Sequence, residues 1–134
     1  MIEENEIYQT SFTISQEQVA RFAEVTGDDN PLHLDKEYAA KTAFKQPIIH
    51  GFLGGSIFSK VFGTQFPGEG TIYLKQSMEF LRPMLVDTEY EAVFTVKEIN
   101  REKHQALVAT EVFDKSLKKL VLKGEALVRN AEKL

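Results

Sequence analysis

The chain of 134 residues predicts an α+β fold in which an antiparallel sheet wraps around one buried helix. Three observations predict it. "GFLGGSIFSKVF", Gly51 to Phe62, spreads Phe52, Leu53, Ile57, Phe58, Val61 and Phe62 around much of a helical circumference. Such a helix is expected to be buried on more than one side. Four alternating runs surround or follow it in the second half: Gly70 to Leu81, Glu89 to Ile99, Gln105 to Phe113 and Lys119 to Val128. Short turns separate them, which suits an antiparallel meander. Some strands carry apolar residues on both faces, and a second buried surface, such as a dimer contact, accounts for that.

The elements follow in order. Ile7 to Thr13 reads as a short strand. Ser15 offers a helix N-cap, and Gln18 completes a capping box. Ile14 and Val19 sit where a hydrophobic staple places them. Val19, Phe22, Ala23 and Thr26 follow the spacing of one helical face, and Gly27 ends the helix. Asp35 caps a second short helix over Lys36 to Lys41, and "TAFKQPII" reads as loop or extended chain. In the apolar helix, Gly54 and Gly55 each cost roughly 1 kcal/mol against Ala, so a neighbouring backbone or a ligand is expected close to that turn. The strand from Gly70 sets Ile72, Leu74, Met78 and Phe80 on one face.

Composition narrows the function. The chain is 43% hydrophobic and 27% charged, the balance of a soluble globular protein, and its length suits one domain over residues 1–134. Cysteine is absent, which excludes disulfides, thiolate metal sites and cysteine nucleophiles. A formal charge of −4 argues against non-specific nucleic-acid binding. The locally basic "KSLKKLVLK", Lys115 to Lys123, is either a solvated turn entering a strand or a phosphate contact. The acidic N-terminus has no long apolar run, so neither a signal peptide nor a membrane span is expected, and the expected location is the cytoplasm.

The densest chemistry lies in "TGDDNPLHLD", Thr26 to Asp35. Gly27, Asp28, Asp29, Asn30 and Pro31 are turn formers, and turn chemistry alone explains them. A calcium loop fails on spacing, because from Asp28 the fifth and sixth positions are Leu32 and His33. Zinc lacks an H-x-x-H or H-E-x-x-H pattern, and no metal is expected. An acid–base reading has more content. Pro31 and the extended bias of Asn30 stiffen the loop, and Leu32 anchors it. Asp28 and His33 then share one rigid mount, where a carboxylate orients and tunes an imidazole. Asp29 is expected to face solvent.

The second cluster is "PIIHGFLGG". A loop ends at His50-Gly51 and the apolar helix starts. Helix N-terminal amides are unpaired and partly positive, so they are placed to hold a developing oxyanion. Gly51 lets a substrate approach the backbone, while His50 by itself reads as a histidine packing a loop. Ser59 lies a little over two turns beyond Gly51, on roughly the same side. Ser56 and Ser59 equally suit hydroxyls bonded to backbone carbonyls, and no G-x-S-x-G motif supports a serine hydrolase.

Together "FAEVTGDDNPLHLDKEYAAKTAF" and "QPIIHGFLGGSIFS" resemble the signature of the MaoC-like (R)-specific enoyl-CoA hydratases, the single-domain bacterial type linked to polyhydroxyalkanoate supply. The similarity continues through "PGEGTIYLKQSMEFLRPMLVDTEYEA" and "KGEALV". It implies a hot-dog fold, a homodimer with sites near the interface, and reversible syn hydration of a trans-2-enoyl-CoA to an (R)-3-hydroxyacyl-CoA. By resemblance, Asp28 and His33 are the catalytic pair and the Gly51 amide is the oxyanion donor. Asn30 holds the loop, Ser59 accompanies the substrate, and Phe62, with Phe66, limits acyl length to short or medium chains. Coenzyme A enters as part of the substrate, with no separate cofactor. Two alternatives stand beside this reading. One is a dehydratase of another thioester, branched or borne on an acyl carrier protein. The other is a non-catalytic acyl-CoA-binding module. A thioesterase is disfavoured, because the apolar helix carries no acidic residue.

Overall fold

The computed structural model describes residues 1–134. The elements in chain order are β1 (Ile7–Phe12), α1 (Gln16–Thr26), α2 (Pro31–Leu34), α3 (Lys36–Ala40) and α4 (Gly51–Thr64), then β2 (Ile72–Gln76), β3 (Glu79–Phe80), β4 (Tyr90–Asn100), β5 (Gln105–Asp114) and β6 (Lys119–Arg129). The sheet is antiparallel throughout, ordered β1-β4-β5-β6-β2, with β3 also paired to β6. It packs on α4 through Phe58 and Phe62, which meet Phe94 edge-on at 5.7 and 5.2 Å between ring centroids. Twenty-two buried residues from the sheet, α4, α1 and both ends of the chain make one apolar cluster. This is the hot-dog arrangement.

Local chemistry sets the ends of α1. The Ser15 side chain accepts the Gln18 N–H, and the Gln18 side chain accepts the Ser15 N–H in return. Gly27 closes the helix in the left-handed region at φ 80°, its N–H donating to the Ala23 carbonyl. The expected result of Ser15→Ala is a loss of about 1 kcal/mol of stability, read as a lower urea midpoint at unchanged slope. An unchanged midpoint would show that the box contributes nothing.

Three expectations are corrected by the structure. The run from Gly70 to Leu81 does not precede β4 in a simple meander. It crosses to the far edge, beside β6, and breaks at Ser77-Met78 into β2 and β3. Its parity also fails: the register shifts between Tyr73 and Lys75, which moves side chains to the opposite face. Ile72, Leu74 and Phe80 are exposed, and so is Tyr73 on the other face, because this edge of the sheet is uncovered on both sides. Finally, Phe52, counted among the buried side chains of α4, is 69% exposed. Phe52, Ser56, Ser59, Lys60 and Gly63 form an outward stripe, whose spacing of 4, 3, 1 and 3 residues is one helical face.

Gly54 and Gly55 do face close neighbours, but these are methionine side chains. A Cβ on Gly54 would lie 2.6 Å from Met84 Sδ, and one on Gly55 would lie 2.5 Å from Met78 Sδ. The two thioethers fill the notch between α4 and the β3 region.

Candidate active site

The turn after α1 presents Asp28. The Thr26 hydroxyl donates back to the Phe22 carbonyl at 2.7 Å and accepts the Asp28 N–H at 3.2 Å. This double contact sets the loop as it leaves the helix. Asn30 then acts as the N-cap of α2, its Oδ1 accepting the Leu32 N–H at 3.0 Å, with Pro31 in the first turn. Pro at that position loses no helical hydrogen bond. The short helix α2, which the turn formers alone did not predict, carries His33 over the loop that leads to α4.

His33 is held by its Nδ1, 2.7 Å from the Ile48 carbonyl. A carbonyl only accepts, so Nδ1 carries the proton there. In the neutral ring Nε2 then keeps a free lone pair. His50 is 2% exposed and its Nε2 donates to the Asp28 backbone carbonyl at 2.9 Å. Its ring stacks on His33 at 3.9 Å between centroids, with planes 28° apart, and meets Phe22 at a tilt of 53° with centroids 4.8 Å apart. His50 therefore ties the Asp28 loop, α2 and the start of α4 together. Its Nδ1 is buried with no partner.

An oxygen of Asp28 and one nitrogen of each histidine lie within 4.8 Å of one another. Three such groups are a conceivable cation site, and each histidine has one nitrogen on a backbone carbonyl, as metal ligands often do. A tetrahedral ion, however, needs its ligand lone pairs to converge, and these two imidazoles are stacked, with planes 28° apart. The stacking fits an acid–base cluster better.

These residues open into a cleft of about 760 Å³, whose lining includes Asp28, His33, His50 and Gly51. The His50 cap supplies no side-chain hydrogen bond to α4, so the first amides of this helix keep the unpaired partial charge of a helix start. Gly51 has a second reason to be glycine: a Cβ there would lie 2.7 Å from the Phe80 ring. Phe80 in turn meets the exposed Phe52 edge-on, with centroids 6.3 Å apart.

The remaining expected residues sit elsewhere. Asn30 braces the loop and Asp29 is exposed; neither lines the cleft. Ser59 lies in a separate groove with Ser56, Tyr73 and Gln76. Phe62 is 1% exposed, in the core against Tyr73 and Phe94, and Phe66 stacks on Tyr8 at 5.3 Å. Neither lines the cleft that holds Asp28 and His33. A helix advances about 1.5 Å per residue, so Ser59 and Phe62 stand well beyond the turn that carries Gly51. Ser56 is accounted for by a 2.6 Å bond to the Leu53 carbonyl. In the Ser59 groove, burial pushes the Tyr73 phenol up to about 12, and its hydroxyl donates to Gln76 Oε1.

Sequence reasoning missed the opposite wall. Phe80, Leu81, Arg82, Pro83 and Met84 line the cleft from the β3 side. Their signal was faint: an Arg-Pro step directly after an alternating run.

A hot-dog sheet around α4, with an aspartate, a histidine and a helix start in one cleft, defines a class: an arrangement able to do acid–base chemistry. The chain belongs to the MaoC-like family, since the profile described as "MaoC like domain" matches residues 2–116. It is 44% identical over 112 residues to the (R)-specific enoyl-CoA hydratase of Aeromonas caviae, covering 84% of this chain and 83% of that protein. Identity to the 3-hydroxybutyryl-CoA dehydratase of Methylorubrum extorquens is 38% over 122 residues, covering 90% of this chain and 75% of that protein. Among solved structures, the (R)-hydratase from A. caviae involved in PHA biosynthesis superimposes with a TM-score of 0.92 at 40% identity, over 96% of this chain and 97% of that one.

Proposed function

We propose that the protein is an (R)-specific enoyl-CoA hydratase, a lyase that adds water reversibly to a trans-2-enoyl-CoA. One observation carries the reading: Asp28, His33 and the Gly51 end of α4 line one cleft, in a chain 44% identical to a hydratase of that name.

The chemistry follows from the acceptors. The Asp28 carboxylate and His33 Nε2 both accept, so one water between them has both hydrogens engaged and a lone pair free for C3 of the enoyl group. As the C3–O bond forms, the C2–C3 π electrons move toward the thioester, and its oxygen takes on enolate charge. The Gly51 amide and the dipole of α4 stabilise that charge. The Asp28–His33 pair takes one proton from the water and returns one to C2 on the same face, which gives syn addition. The two groups act as one unit in this cycle, each holding one hydrogen of the same water. The reaction takes no metal or redox cofactor; coenzyme A enters as part of the substrate.

The assembled pair favours catalysis over mere acyl-CoA binding. We place the enzyme in the cytoplasm, acting as one domain and as a homodimer. The edge strand β2 exposes Ile72, Tyr73 and Leu74, and Phe52 is 69% exposed beside Phe80 at 54%. Such an edge and such aromatics call for a cover. No helix is long and apolar enough to cross a membrane. The test is a hydration assay over trans-2-enoyl-CoA chain lengths with product stereochemistry determined. The (R)-alcohol is the expected product, and either the (S)-alcohol or no turnover on any chain length overturns the reading.

A further inference from the structure

Arg82 is the only lysine or arginine lining the cleft, in a chain of net charge −4. Its side chain is in none of the ion pairs, which use Arg21, Arg101, Lys115 and Lys123, and the guanidinium makes no hydrogen bond within the protein. It is exposed although it lines the cleft, which places it at the solvent edge. Its backbone, by contrast, is held from both sides. The N–H groups of Leu81 and Arg82 donate to the Val121 carbonyl at 2.9 and 3.3 Å, and the Met84 carbonyl accepts the Ile49 N–H at 2.8 Å. The mount is thus tied to β6 on one side and to the loop before Gly51 on the other.

An unpaired guanidinium on a fixed backbone at the edge of an apolar cleft suits an anion that stays outside while the reacting group goes in. A phosphate on the thioester's carrier has that form, and the planar fork of arginine suits phosphate oxygens. We propose that Arg82 is a specificity-determining residue that recognises a phosphate of the thioester's carrier arm. The inference rests on the thioester reading above. The basic turn read from the sequence adds to the same end of β6: Lys118 and Lys119 are exposed and unpaired, whereas Lys115 is engaged with Glu89 and Ser11. The same phosphate chemistry has two sources, the nucleotide of coenzyme A and the phosphodiester next to pantetheine, which an acyl carrier protein also carries.

The experiment compares crotonyl-CoA, crotonyl-phosphopantetheine and crotonyl-pantetheine as substrates of the wild type and of Arg82→Gln, with thermal melts as the check on folding. The expected result is that the preference for crotonyl-CoA over crotonyl-pantetheine in kcat/KM falls at least about ten-fold in the variant, the effect of losing one hydrogen bond to a charged group. If the loss extends to crotonyl-phosphopantetheine, the contact is to the pantetheine phosphate. If it is confined to crotonyl-CoA, the contact is to the nucleotide. An unchanged preference, or an equal loss on all three substrates, overturns the assignment. If the wild type turns over none of them, the hydratase reading fails on its own account. Calorimetry with free coenzyme A then decides: ten-fold weaker binding to the variant supports Arg82, and equal binding overturns it.

Discussion

Asp28→Asn and His33→Gln are each expected to lower crotonyl-CoA hydration by a factor on the order of 10² to 10⁴, the usual contribution of positioned acid–base catalysis. The two substitutions fail for different reasons. Asparagine keeps the size of Asp28 and leaves the backbone carbonyl that His50 holds at 2.9 Å, but it removes the charge and one acceptor. The water then has a donor facing it where an acceptor stood. Glutamine at His33 can still donate to the Ile48 carbonyl, which now bonds Nδ1 at 2.7 Å, yet it cannot carry a proton through the cycle. Loss is expected in kcat, with the melting temperature near that of the wild type, because Asp28 is exposed and His33 half-buried. The double variant is expected to lose little more than either single one, since the two groups act as a unit. A single variant retaining near-wild-type rates would remove that residue from the mechanism. Rates that fell only in step with lost folding would reduce the pair to a structural role.

What could be read in advance from the chain depends on the range of the interaction. The Ser15–Gln18 box, the Gly27 stop and the Asp35 cap each act within a few residues, and each is present. Asp28, His33 and Gly51 fall within the two quoted motifs, so the family resemblance singles them out. The edge position of β2 was not legible, because alternation says which residues share a face and not which strand lies alongside. The shift between Tyr73 and Lys75 then undoes the alternation itself. Helical periodicity failed at Phe52 for a related reason: an apolar residue on a stripe says nothing of what covers it. Arg82 and Phe80 reach the cleft only through pairing with β6, a contact made some forty residues along the chain and invisible to any local pattern.

The β2–β3 corner that delivers those two residues depends on Gly124, and Gly124→Ala is expected to cost about 3 kcal/mol or more, the upper range of overpacking. Gly124 lies on β6 opposite Thr110. A Cβ there would sit 1.7 Å from the Ser77 carbonyl oxygen and 2.6 Å from its carbon, so the obstacle is backbone. That backbone has little room to retreat. The Ser77 N–H donates to the Glu125 carbonyl at 2.9 Å, the Ser77 hydroxyl accepts the Glu125 N–H at 3.0 Å, and Gln76 bonds both Ser77 and the buried Thr110. Gly55→Ala clashes with the movable end of Met78 and makes an ordinary contact with Leu122, and is expected to cost less. Gly63→Ala meets nothing and, in α4, is expected to gain about 0.5–1 kcal/mol. Urea unfolding of the three variants checks this order, and a Gly124→Ala protein within about 0.5 kcal/mol of wild type, the range of a neutral surface change, would refute the close approach. Activity should follow stability at this one position. Displacing Ser77 moves β3, hence the Phe80 ring that lies against Gly51 and the strand end that carries Arg82. Folded Gly124→Ala protein should therefore show a weakened kcat/KM although no reacting group has been altered.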